Sequence, residues 1–416
     1  MKLRRVVVTG LGALTPIGNT IQEYWEGLKN GVSGAAPITH FDASKFKTQF
    51  ACEIKNFNVT DFIDRKEARK LDKFAQYAVV ASDEAIVDSK LDVEKLDKDR
   101  VGVIWGAGIG GLETFQDEVL NFGSGDGTPR FNPFFIPKMI ADIAPGVISM
   151  KYGFRGPNFT TVSACASSAN AMIDALNYIR LGYADVVVTG GSEAAVTAAG
   201  MGGFNAMHAL STRNDDPKTA SRPFDANRDG FVLGEGAGAI ILEDYDHAIA
   251  RGAKIYCELA GGGLSADAYH MTAPHPEGLG ARQVMLNCLK DAGVSPEEVD
   301  AINMHGTSTP LGDVAESKAI VNVFGEHAYK ININSTKSMT GHLLGAAGAI
   351  EAIASILAIE HGVVPPTINH ETFDENIDPK LNFTFNRAQK RDVKVAISNT
   401  FGFGGHNACV LFRKLN

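Results

Sequence analysis

The chain has 416 residues, 44% hydrophobic and 21% charged, and a formal net charge of −9. That balance belongs to a folded globular protein, long enough for two ordinary domains or one large fold in two halves. With 39 Lys and Arg against 48 Asp and Glu, it lacks the surplus positive charge that nucleic-acid binding draws on.

The opening MKLRRVVVTGLGALTPIG has the basic start of a secretion signal, but its apolar run is three valines long before glycine interrupts it. A first strand is expected there, and a cytoplasmic protein. Further strands are expected at 101–106, 185–191, 237–244, 395–400 and 408–412, with helices over 73–86 and 281–293. The pattern is α/β with mainly buried sheets. GAGIGG (106–111) follows a strand and formally fits the dinucleotide pattern. Its ribose contact has no carrier, because the only acid about twenty residues on is Asp126, in a loop. The stretch 342–359, HLLGAAGAIEAIASILAI, has the length of a membrane span but carries Glu351 at its centre, so a buried core helix is expected and membrane insertion is not.

Five cysteines, without a C-x-x-C pair or a close His/Cys cluster, argue against a disulfide framework and against a metal site. Cys52, Cys257 and Cys409 lie in strand-like runs and Cys288 on a helix. Cys165, in TVSACASSAN (161–170), lies at a strand-to-helix turn, since Met172, Ala175, Leu176 and Ile179 recur behind it at helical spacing. It is expected to be displayed there, and the helix end is expected to favour a reactive thiolate. Its neighbours Ser163, Ala164, Ala166, Ser167 and Ser168 are expected to leave clearance for a substrate.

A cysteine nucleophile needs a base or an electrostatic partner. Of eleven histidines, His305 in INMHGTST and His342 in SMTGHLLGAAG stand at glycine-flanked strand ends; His247, His270, His275, His327, His361 and His370 are expected on loops or helix surfaces. Glu351 needs a partner inside its apolar helix, and Lys337 is the nearest base in sequence. Near the end, NTFGFGGHNA sets Phe401 and Phe403 in a glycine-rich loop suited to bringing backbone N–H groups to a ligand oxygen.

Two internal similarities suggest duplication. GALTPIGN (12–19) shares T-P-x-G with GTSTPLGD (306–313). A second, constant offset pairs Ala169 with Ala346, Ile173 with Ile350, Ala175 with Ala352 and Ile179 with Ile356, and sets Cys165 opposite His342.

VSACASS, MHGTSTPLGD, STKSMTGHLLGAAGAIEA and SNTFGFGGHNA, in that order, resemble the elongating β-ketoacyl-[acyl-carrier-protein] synthases. The resemblance runs from VVVTGLGALTPIG to the C-terminus. It implies a thiolase-like fold of duplicated α/β halves in αβαβα layers, the first (1–254) carrying the nucleophile and the second (255–416) both histidines. It also implies a homodimer with no resident cofactor or metal, whose substrates arrive on the phosphopantetheine arm of an acyl carrier protein. By resemblance Cys165 takes the acyl chain, and His305 and His342 stabilise the enolate of a decarboxylating malonyl thioester, with Lys337 and Glu351 completing the catalytic set. The backbone N–H groups of Cys165 and Phe403 form an oxyanion hole. Thr307 and Thr309 hold the pantetheine, while Ile109, Phe204, Phe401 and Phe403 line and gate the acyl pocket. Arg65, Lys66, Arg69, Lys70 and Lys73, at helical spacing in DRKEARKLDK, suggest a basic stripe for the acidic carrier. His208 stands where the family often has arginine.

Related chemistries fit less well. A coenzyme A thiolase would carry a second cysteine in the C-terminal glycine loop, initiating synthases use Cys, His and Asn, and polyketide synthases typically read D-T-A-C-S-S at the nucleophile. An oxidoreductase would rest on GAGIGG alone.

Overall fold

The computed structural model describes residues 3–415. Its main sheet has ten strands: β1 (Val6–Leu14), β2 (Val101–Gly106), β3 (Asn158–Thr161), β4 (Val186–Glu193), β5 (Gly236–Asp244), β6 (Cys257–Ala266), β7 (Ala301–Asn303), β8 (Asn332–Asn334), β9 (Val395–Gly402) and β10 (His406–Arg413). Hydrogen bonding orders them β8-β7-β9-β10-β6-β1-β5-β4-β2-β3. From the centre outward, each of the first five strands has its counterpart five strands later. β1–β5 and β5–β4 are antiparallel and β4–β2 and β2–β3 parallel. β6–β10 and β10–β9 are antiparallel and β9–β7 and β7–β8 parallel. The halves meet at a thin seam, where Val7 pairs with Glu258 and Val8 with Cys257.

The helices obey the same repeat. A short α1 (Arg65–Ala68) precedes α2 (Lys73–Ser89), which lies between β1 and β2, as α5 (Leu279–Ala292) lies between β6 and β7. α3 (Leu112–Gly123) and α6 (Pro310–Phe324) follow β2 and β7, and α4 (Ser167–Arg180) and α7 (Ala347–His361) follow β3 and β8.

Alternation along the strands divides the side chains between layers. Val187 joins the central core with α4 and α7, while Val186 and Val188 face α2 on the other side. In the second half Ala301 faces the centre and Ile302 the cluster formed with α5 and α6. The result is the expected αβαβα stack. Lying between the two halves of the main sheet, α7 is apolar around its circumference. Residues 344–361 therefore have the hydropathy of a membrane span while 89% of them are buried.

The repeat carrying Cys165 onto His342 has a structural counterpart: the start of α4 at Ser167, moved by the 177 residues that separate Cys165 from His342, falls on Leu344, where a 3₁₀ turn leads into α7. The T-P-x-G similarity does not. It relates the end of β1 to the end of β7, whereas β1 is matched by β6. Thr15 closes a tight turn with Gly18, while Thr309 and Pro310 begin α6.

Candidate active site

After β3 the chain bends through Ala164, whose φ of 50° is left-handed and rare for a residue with a side chain. Ser167 fixes the bend: its Oγ accepts from the Ser163 N–H at 3.0 Å and donates to the Ala164 carbonyl at 2.7 Å. Ser163, Ala166, Ser167 and Ser168 are buried, so they are not clearance for a substrate. They are small because strand ends pack on them, and a Cβ on Gly106 would overlap the Ser168 backbone. From this run only Ala164 and Cys165 line the main cavity, of about 560 Å³. Cys165 is therefore not displayed on the surface. It is 6% exposed and lines that cavity.

His342 comes to the sulfur from the second half. Its backbone N–H donates to the Val232 carbonyl at 2.7 Å, and its Nε2 lies 3.0 Å from Cys165 Sγ. Phe231 meets its ring edge-on at 5.4 Å. The His305 ring stands 5.3 Å from it at 85°, so both imidazoles border one space. Glu316 on α6 sets the His305 turn by accepting the N–H groups of His305 at 3.0 Å and Gly306 at 3.1 Å. Lys337 and Glu351 form the expected ion pair, both buried.

Burial, helped by the Lys337 charge, holds both histidines well below the usual imidazole range, so they are neutral. Burial also pushes the Cys165 thiol up to about 12, against the pull of the Lys337 charge and of a hydrogen bond from the Phe403 N–H. The expected resting thiolate is thus corrected, because withdrawal of the sulfur from water outweighs the Lys337 charge and the Phe403 N–H. The site at rest is a neutral thiol against a neutral imidazole. Charge has to be created during reaction, beside donors already in place.

Residues 3–248 match the family described as "Beta-ketoacyl synthase, N-terminal domain", and residues 256–371 match "Beta-ketoacyl synthase, C-terminal domain". The chain belongs to the β-ketoacyl synthase family. It is 51% identical to a 3-oxoacyl-[acyl-carrier-protein] synthase 2 of Synechocystis sp., covering 100% of this chain and 99% of that one. It is 50% identical to a protein of the same name from Staphylococcus aureus, covering 99% and 98%. Among solved structures it is similar, with a TM-score of 0.90 and 35% identity over 100% of both chains, to a ketosynthase of a type II polyketide system in complex with its acyl-carrier protein and bound to a hexaketide.

Around this β-ketoacyl synthase centre the cavity gathers most of the other expected residues. Thr307 and Thr309 line it, their Oγ1 atoms 3.1 Å apart. Ile109, Phe204, Phe401 and Phe403 line it too. A Cβ on Gly402 would sit 2.6 Å from the Ser163 carbonyl and 3.1 Å from the Cys165 nitrogen, which is why this loop runs flush with the nucleophile turn only as glycine. His208, at a φ of 54°, stands at the lining. So does His275, which lies in a loop as expected.

The basic stripe is not one helix. α1 ends at Ala68, the chain breaks at Leu71 and Asp72, and α2 starts anew at Lys73. Asp72 ends the run because its side chain caps α2. Arg65, Lys66 and Arg69 are exposed, whereas Lys70 pairs with Glu67 and Lys73 with Glu113. None of the five lines the main cavity.

GAGIGG has the strand-turn-helix setting of a phosphate loop, between β2 and α3, but its N–H groups are already taken. Glu193, at the end of β4, accepts those of Gly108, Ile109 and Gly110. Sequence reasoning missed Glu193, Glu316, Phe231 and Leu344. The rule that singled out Glu351, an acid inside an apolar run, applies equally to Glu193 in DVVVTGGSE. Among the described residues no group of three or more His, Cys, Asp or Glu is placed to hold a metal ion.

Proposed function

We propose that the protein is an elongating β-ketoacyl-[acyl-carrier-protein] synthase of fatty acid synthesis, with Cys165 as the acyl carrier of the reaction. The observation that carries the reading is the 3.0 Å contact between Cys165 Sγ and His342 Nε2, with His305 crossing it in the same cavity. In the first step the Cys165 sulfur attacks an acyl thioester on the phosphopantetheine arm. The acyl group moves to Cys165, and the carrier thiol leaves with the proton the cysteine gave up. The Cys165 and Phe403 N–H groups hold the oxygen of the tetrahedral intermediate. In the second step malonyl-carrier protein loses CO₂, and the neutral histidines His305 and His342 hydrogen-bond the resulting enolate oxygen. The carbanion attacks the Cys165 thioester, the sulfur leaves, and a 3-oxoacyl chain two carbons longer departs on the carrier.

Lys337, paired with Glu351, keeps the histidines neutral and steadies the turn that bears His342. Thr307 and Thr309 offer hydroxyls to the pantetheine arm, while Ile109, Phe204 and Phe401 offer apolar surface to the acyl chain. No cofactor or metal beyond the arm itself enters this scheme. Identity of about half to the two 3-oxoacyl-[acyl-carrier-protein] synthases 2, against about a third to the polyketide ketosynthase, favours the fatty acid reading over the polyketide one.

The partner in this reading is acyl carrier protein, attracted by the exposed Arg65, Lys66 and Arg69, with Lys70 beside them. The enzyme works in the cytoplasm as a homodimer. The free sheet edge at β3 supports the dimer, as does the aromatic surface formed by Phe115, Phe122, Phe131 and Phe134, all more than 40% exposed. Cys165→Ala tests the reading. Elongation of acyl-carrier protein with malonyl-carrier protein should fall by at least about a thousandfold with the melting temperature nearly unchanged; full elongation by that variant overturns it.

A further inference from the structure

Glu193 is fully buried, and among the described residues no ion pair involves it. Four backbone N–H groups hold its carboxylate instead. Oε2 accepts from Gly108 at 2.8 Å and Gly345 at 3.0 Å, and Oε1 from Ile109 at 3.1 Å and Gly110 at 3.3 Å. These donors come from opposite halves of the fold. The 108–110 turn carries Ile109 into the cavity wall, while Gly345 follows Leu344, another lining residue, three positions after His342. The fit leaves no slack: a Cβ on Gly345 would overlap the Gly108 nitrogen, and one on Gly108 would lie 2.6 Å from the carboxylate and 3.2 Å from the Ala164 carbonyl, in the nucleophile turn.

We propose that Glu193 is a positioning residue that ties the acyl wall at Ile109 to the turn behind His342, and so sets how long an acyl chain Cys165 accepts. The inference rests on the condensing reaction proposed above. A long chain presses on Ile109 and loads the same carboxylate that holds Gly345; a short chain does not reach it. Burial lifts Glu193 to about 7, so at pH 8 and above it is ionised and its charge-assisted bonds resist that load better than neutral ones.

The test compares kcat/KM for short- and long-chain acyl-carrier proteins in the wild type, Glu193→Gln and Glu84→Gln. Glu84 is a control, since its carboxylate also accepts two backbone N–H groups, of Ala13 and Ile21, but it lies on α2 and does not line the cavity. In Glu193→Gln an amide NH₂ faces N–H donors, and the long-to-short ratio should change at least about fivefold. In Glu84→Gln the melting temperature should fall and the ratio stay put. An unchanged ratio in folded Glu193→Gln, in an enzyme whose wild type elongates, overturns the proposal; a wild type that elongates nothing overturns the function reading instead.

A second arm needs neither variant nor turnover. With wild-type Cys165 alkylated by a short or a long N-alkylmaleimide, hydrogen exchange at Gly108, Ile109, Gly110 and Gly345 should respond together to the long chain and not to the short one. A response confined to one of the two turns overturns the coupling.

Discussion

Cys165 and His342, 177 residues apart in the chain, meet at 3.0 Å because each begins the same turn in its own half of a duplicated fold. Their protonation states follow from burial. As the histidines are neutral and held well below the usual range, acid reaches them late. In the proposed reaction the neutral imidazoles hydrogen-bond the enolate, and that form is present above the folded-state value and lost only as pH falls through it. The imidazole NMR signals of His305 and His342 should therefore show no midpoint as pH is lowered through about 6.5, where a free imidazole titrates; a midpoint there, in stably folded protein, contradicts the assignment. His342→Ala should slow CO₂ release by at least about a hundredfold, measured from labelled malonyl-carrier protein, and an unchanged rate removes His342 from the chemistry. These residues were legible in the sequence because each is locally anomalous: a cysteine among very small residues, histidines beside glycines at strand ends, an acid in an apolar helix. The protonation state of Cys165 was not legible, since its burial comes from segments remote in the chain.

At the scale of elements, the site is a set of turns held by buried carboxylates. Glu351 holds Lys337, Glu316 the His305 turn, and Glu193 the turns on either side of the cavity. Lys337→Ala would leave the Glu351 charge buried without its partner, and stability should fall by about 3–5 kcal/mol. Adding Glu351→Leu should recover most of that loss. Urea unfolding of both variants measures it, and a double variant no more stable than the single one contradicts the pairing. The sequence pointed to this ion pair because both members lie in mostly uncharged stretches. It misled over the basic stripe, because spacing alone does not reveal that Asp72 turns inward to cap a new helix, taking bonds from Thr114 as well. GAGIGG was denied a nucleotide for want of a ribose contact, whereas the group that occupies its N–H donors, the Glu193 carboxylate, lies in a strand some eighty residues away, beyond the reach of a local pattern.

Across the whole molecule the duplication decides where chemistry happens: equivalent positions near the relating axis must meet, and a nucleophile in one half faces its partner in the other. Four matched apolar positions were enough to see this in the sequence, because helices buried between the two halves of the sheet keep their pattern. The T-P-x-G match was not, because turn residues recur for local reasons. The two sheet edges differ. β8 is covered by the segment around Asn382, while β3 has no neighbour on its outer side among the described residues, and Val162 beside it is 63% exposed. Sedimentation of the purified protein should give twice the chain mass, and a monomer at micromolar concentration contradicts the proposed dimer. The central claim, that Cys165 holds the growing chain, is tested most directly by mass spectrometry of the intact protein and its peptides after mixing with acyl-carrier protein. The account predicts one acyl group on the peptide containing Cys165, discharged when malonyl-carrier protein is added as a product two carbons longer; an acyl group found elsewhere, or one on Cys165 that malonyl-carrier protein does not discharge, would contradict it.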